Sequence, residues 1–201
     1  WNYNNSKTTY EIKKRGILDF RGQSSGIGTS FCDNIVFDIR NEFNFKGRMV
    51  GKFFSLPFVK TIYNAQLKET KNHINSFLEN LSIVYQKNEM VRKLLQKYKF
   101  EKTTEFGCLK KFNINGKEYS TYYLDIAHRI AILSEKFEFK KINSFFEIGG
   151  GFGSNIHFLI TNFPNIKKIV YLDIVPNIYV GTQYLKFFYG SNVRDYLNLK
   201  N

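Results

Sequence analysis

Two cysteines, three prolines and three alanines are a short supply for 201 residues, and each scarcity excludes something. Cys32 and Cys108 stand in unrelated contexts without the paired spacing of a zinc site. A disulfide-dense secreted scaffold is therefore excluded, a single Cys32–Cys108 bridge is the disfavoured alternative, and a reducing cytosol fits better. Long apolar runs are also missing. The greasiest stretch, Ile169 to Val175, is broken by Asp173 and falls far short of the roughly 18 apolar residues a membrane-spanning helix needs, so the chain reads as soluble. It opens on Trp1 and not on Met, and an N-terminal segment with any targeting signal it carried is expected to be missing.

What is abundant is Lys, Asn, Ile, Phe and Tyr, the bias expected of an AT-rich coding sequence. A hydrophobic fraction of 43% excludes general disorder. The formal net charge of +13 raises the question of a nucleic-acid partner, since clustered Lys and Arg release counterions from phosphates. The lysines are scattered, as at Lys68, Lys71, Lys87, Lys93, Lys97 and Lys99, and no basic stretch is interleaved with exposed aromatics. Nucleic acid is accordingly not the expected partner, and the charge reads as a solvated surface.

Along the chain, residues 1–32 are polar and glycine-bearing, and Arg21 to Gly28 has too little apolar content to pack, so it reads as a loop or arm. Ser25-Gly26-Ile27-Gly28 lacks the Lys-Ser/Thr of a phosphate loop and reads as surface. From Thr61 to Tyr98 the apolar period is helical: Ile74, Leu78, Leu81 and Tyr85, then Val91, Leu94, Leu95 and Tyr98, with Asn88 as the N-cap between two helices. Leu109, Phe112 and Ile114, followed by Asn115-Gly116 and Tyr119, predict a β-hairpin with a type I′ turn. Ser120 is then placed to cap a helix running to about Lys136, with Tyr123, Ala127, Ile130, Ala131 and Phe137 on one stripe.

After Asn143 short apolar runs alternate with helical ones. Phe145 to Ile148 and Ile169 to Leu172 read as buried strands, Ser154 to Asn162 as a helix stopped near Pro164, and Pro176 as the first turn of a helix ending near Gly190. The order strand, helix, strand, helix predicts an α/β fold with a parallel sheet. Residues 1–140 are expected to form a mainly helical region with a hairpin near 108–120, and residues 141–201 the first part of a Rossmann-like domain.

Glu147-Ile148-Gly149-Gly150-Gly151-Phe152-Gly153 sits where a strand ends and a helix begins, the crevice in which open parallel sheets bind ligands. A dinucleotide fingerprint counted from Gly149 and Gly151 would want Gly or Ala where Ser154 stands, and a glycine stands at 153 instead. Asp173 follows the second strand about 20 residues past Gly153, where a carboxylate can accept from both hydroxyls of a ribose.

This arrangement resembles the first motif of class I S-adenosylmethionine-dependent methyltransferases. The resemblance implies that Glu147, Gly149, Gly150, Gly151, Gly153 and Asp173 bind S-adenosyl-L-methionine, with the glycines along its methionine and ribose portion and Asp173 on the ribose. The layout from Phe146 to Pro176 is similar to small-molecule O-methyltransferases. With Arg21-Gly22, Asp38-Ile39-Arg40 and the helices before the glycine loop, the whole resembles a bacterial family of sugar O-methyltransferases. That implies a cytoplasmic enzyme methylating a sugar hydroxyl in glycan or surface-polysaccharide synthesis. An RNA-modifying methyltransferase and a non-catalytic partner subunit of the same fold are the alternatives.

Such a fold carries its acceptor site and base after later strands, and residues 174–201 are too few to supply them, so the domain is expected to be incomplete and its catalytic base unnamed. His128 and His157 are the nearest histidines, and both are expected to be structural. Asp38 and Arg40 read as an ion pair or a solvent-facing pair before a lid. No metal ligands are expected.

Overall fold

The computed structural model describes residues 7–17, 72, 76, 79–106 and 111–195. Expectations for Arg21 to Gly28, Cys32, Asp38 to Arg40, Ile74, Leu78, Cys108 and Leu109 lie outside these. The described chain is mixed α/β. Helix α1 (Lys7–Arg15) is followed by helical residues 79–87, helix α2 (Glu89–Lys97), strands β1 (Lys111–Ile114) and β2 (Lys117–Ser120), and helix α3 (Thr121–Leu133). Then come a 3-10 turn at Phe139–Lys141, strand β3 (Ser144–Ile148), helix α4 (Ser154–Asn162), strand β4 (Lys168–Leu172) and helix α5 (Asn177–Tyr189).

The local signals explain most boundaries. Asn88 caps α2, its side-chain oxygen accepting from the Val91 amide at 3.1 Å, which satisfies one of the donors a helix start leaves open. β1 and β2 pair antiparallel around Asn115 (φ 52°) and Gly116 (φ 79°), the two positive angles that a type I′ turn requires. Ser120 does occupy the N-cap position of α3, yet its hydroxyl makes no capping bond: it is fully buried and has no hydrogen-bond partner.

Helix α3 also stops earlier than its apolar stripe suggests. The Ser134 hydroxyl donates back to the Ile130 carbonyl at 2.6 Å, the chain turns, and Phe137 leaves the stripe to stand 57% exposed, while Leu124 and Ile126 join Tyr123, Ala127 and Ile130 in the core. The polar, glycine-bearing N-terminal stretch gave no helical period, yet α1 buries Ile12, followed by Ile17, in one apolar cluster with Phe152, Tyr179, Val180 and Leu185. Two isoleucines sufficed where the surrounding polarity hid them.

β3, α4 and β4 form a parallel βαβ unit in the register Ser144↔Lys168 through Ile148↔Leu172. Both strands were expected to be buried on two faces, and they are not. Phe145, Glu147, Ile169 and Tyr171 turn toward the helices, whereas Phe146, Ile148, Val170 and Leu172 are 46–72% exposed. Among the described residues, helices cover only one face, so strands whose apolar residues do not alternate with polar ones in sequence show a two-residue burial period. Helix α4 joins two core clusters. Phe158 and Leu159 pack with Tyr98, Phe100, Phe112, Tyr123 and Phe163, so this core draws on both sides of residue 140, and Ile156 packs with Phe106, Tyr184 and Leu185.

Candidate functional site

The glycine loop continues the β ladder by one bond, Gly149 N–H to the Leu172 carbonyl at 2.8 Å, and then turns away. Gly149 (φ 71°), Gly151 (φ 61°) and Gly153 (φ 81°) all take left-handed backbone angles, which cost an L side chain about 1–2 kcal/mol each. Gly153 N–H closes the turn on Gly150 O at 3.1 Å, and Gly153 O accepts from His157 N–H to begin α4. A methyl group built on Gly149 or Gly151 would meet nothing within 4 Å, so these backbones border open space. On Gly150 it would collide with the Glu147 carboxylate, and on Gly153 it would press Leu185 at 3.2 Å.

Asp173 lies directly across the loop. Its Oδ2 accepts from Gly151 N–H at 2.6 Å and its Oδ1 from Ile174 N–H at 2.7 Å. A carboxylate oxygen can accept two hydrogen bonds, so Oδ1 keeps an acceptor site for a ligand, while Oδ2 also has the Tyr171 hydroxyl at 3.4 Å. Glu147 is the register partner of Tyr171 and points to the same covered face. It takes a bond from Asn155 Nδ2 on Oε1 at 2.7 Å, while Oε2 is buried against Gly150 without a partner. Burial holds the Glu147 carboxyl above the ordinary carboxylate range. Asp173 adds to that shift, and Asn155 and Arg129 oppose it.

Glu147, Gly149, Gly150, Gly151, Gly153 and Asp173 are thus brought around one turn between the tips of two parallel strands. His157 is only 3% exposed, and its Nδ1 bonds the Tyr184 hydroxyl, which also bonds that of Tyr123. It packs in the core and does not face the loop's open side. His128 is half-buried in an open groove of about 420 Å³ between α2 and α3, beside Lys93, Leu94 and Lys97. Among the described residues, no three His, Cys, Asp or Glu side chains gather as a metal site would require, and no helix is long and apolar enough to cross a membrane.

Three residues that the motif does not name complete the site: Asn155, Tyr171 and Gly181. The Tyr171 hydroxyl donates to Gly151 O at 2.6 Å, with Asp173 Oδ2 and Asn177 O farther off at 3.4 and 3.3 Å. A period of two along β4 puts Tyr171 and Asp173 on one face, which is the signal in the sequence that could have found it. Compared with protein-family models, curated proteins and solved structures, the chain matches none of them.

Proposed function

We propose that the loop at 149–153 and Asp173 bind S-adenosyl-L-methionine, that β3 to α5 belong to a Rossmann-like cofactor domain, and that the protein is an O-methyltransferase acting on a sugar hydroxyl. The observation that carries the cofactor reading is the 2.6 Å bond between Gly151 N–H and Asp173 Oδ2, which puts a side-chain-free turn and a carboxylate at one strand-tip crevice. The donor and acceptor set fits an adenosyl ligand. Open space borders Gly149 and Gly151, where a backbone must come close to a ligand, and Asp173 retains acceptor capacity for the vicinal hydroxyls of a ribose.

When bound, the cofactor supplies a methyl group on a sulfonium sulfur. This chain's residues do positional work: the glycine backbone admits the ligand, Asp173 fixes its sugar, and the covered face of β3 and β4 keeps water from the strand side. The sugar-hydroxyl acceptor rests on the resemblance of the motif layout.

Isothermal titration of the protein with S-adenosylmethionine tests the reading. Saturable 1:1 binding is expected. Asp173→Ala is expected to weaken it about 10- to 100-fold, the loss of roughly 1.5–3 kcal/mol of charge-assisted hydrogen bonding. Equal affinities for the two proteins would remove Asp173 from the site.

A further inference from the structure

We propose that Tyr171 is the positioning residue of the glycine loop, a latch that fixes Gly151 against Asp173 before any ligand arrives, and that Gly181 of α5 exists to admit it. The inference rests on the cofactor reading of the loop and adds to it a residue outside the glycine motif.

Three observations converge on the phenol. Its hydroxyl donates to Gly151 O at 2.6 Å, while Gly151 N–H donates to Asp173 Oδ2 at the same length, so both polar groups of one glycine are held by side chains that β4 and its end carry two residues apart. A methyl group on Gly181 would lie 2.6–2.9 Å from the Tyr171 oxygen and ring carbons, so no larger residue fits at that point of the helix while the phenol keeps its place. A glycine inside a thirteen-residue helix costs about 1 kcal/mol relative to alanine, and an unforced sequence would avoid it there. The phenol is also half-buried and its ionisation is strongly suppressed, first by burial and then by the Asp173 charge, so the hydroxyl remains a donor at any working pH.

Glycine at 149, 151 and 153 gives the turn many backbone alternatives, and a residue whose two flanking peptides are held, one by its N–H and the other by its C=O, has few. The strand thereby presets the loop, and a ligand meets a formed seat without the ordering cost of making one.

Tyr171→Phe keeps the ring and removes only the hydroxyl, and Gly181→Ala keeps the hydroxyl and displaces the ring. Both are titrated calorimetrically with S-adenosylhomocysteine, and Gly151 amide hydrogen exchange is followed by NMR. Each variant is expected to bind about 3- to 10-fold more weakly and to exchange its Gly151 amide about tenfold faster, with the ligand-free melting temperature of Tyr171→Phe within a few degrees of wild type. Unchanged affinity in Tyr171→Phe, whatever its melting temperature, overturns the proposal and leaves the tyrosine a packing residue. If wild type itself does not bind, the cofactor reading fails separately, and the Gly151 exchange rate alone decides the latch: unchanged exchange in Tyr171→Phe refutes it.

Discussion

His157 and Glu147 are both buried titratable groups, and burial moves them in opposite directions along the pH scale. The His157 imidazole is pushed down from 6.5 to about 4, chiefly by burial and then by the Lys102 charge. A depressed histidine contributes stability that is present above pH 6.5 and is lost as pH falls toward 4. The gap is worth roughly 3 kcal/mol. Urea unfolding at pH 7.5 and pH 5 should therefore show wild type losing stability on acidification, and His157→Phe losing less. Glu147 works the other way: its raised carboxyl contributes most below the ordinary carboxylate range and loses that contribution as pH rises through its folded value. The melting temperature of Glu147→Gln relative to wild type should accordingly be higher at pH 8 than at pH 4.5. At this scale the sequence announced a turn at the glycines with Asp173 on the neighbouring strand tip, because glycine spacing and a carboxylate after a strand are readable residue by residue. For Tyr171 it offered only the period of two that sets it on the face of Asp173, because a tyrosine in an apolar strand looks like core until its partner across the βα turn is known.

Helix starts separate cap position from cap chemistry. Asn88 and Ser120 both stand at N-caps, and both were legible as such from the polar residue ahead of an apolar period. Only Asn88 makes the bond. Asn88→Ala should cost about 1 kcal/mol in urea unfolding, whereas Ser120→Ala should cost nothing or stabilise slightly, because it removes a buried hydroxyl that has no partner. A larger loss at Ser120 than at Asn88 would show the hydroxyl to be satisfied. The hairpin was readable because Asn-Gly specifies its turn locally, and α4 because Pro164 and the glycine loop bracket it. Helix α1 was not readable, since its fold depends on Ile12 finding Tyr179 and Val180 more than a hundred residues away, which no local period announces.

Across the whole molecule, the exposed side of the two-stranded sheet is the largest departure from expectation. Phe146, Ile148, Val170 and Leu172 are paired across the strands on that side, with Ile174, 74% exposed, following them. A continuous apolar run carries the same letters whether one face is covered or two, so the number of helical layers could not be read from it. Leu172→Thr should leave the unfolding free energy within about 0.5 kcal/mol of wild type, as for an exposed strand position, while Leu159→Ala in the shared core should cost about 2–5 kcal/mol. The central claim is where an adenosyl ligand sits. Following the backbone amides of ¹⁵N-labelled protein during titration with S-adenosylhomocysteine tests it most directly. Saturable shifts at Gly149, Gly151, Gly153 and Ile174, with Asn115 and Gly116 unmoved, are the predicted result. Shifts confined to the groove around Lys93, Lys97 and His128, or none at any ligand concentration, would contradict it.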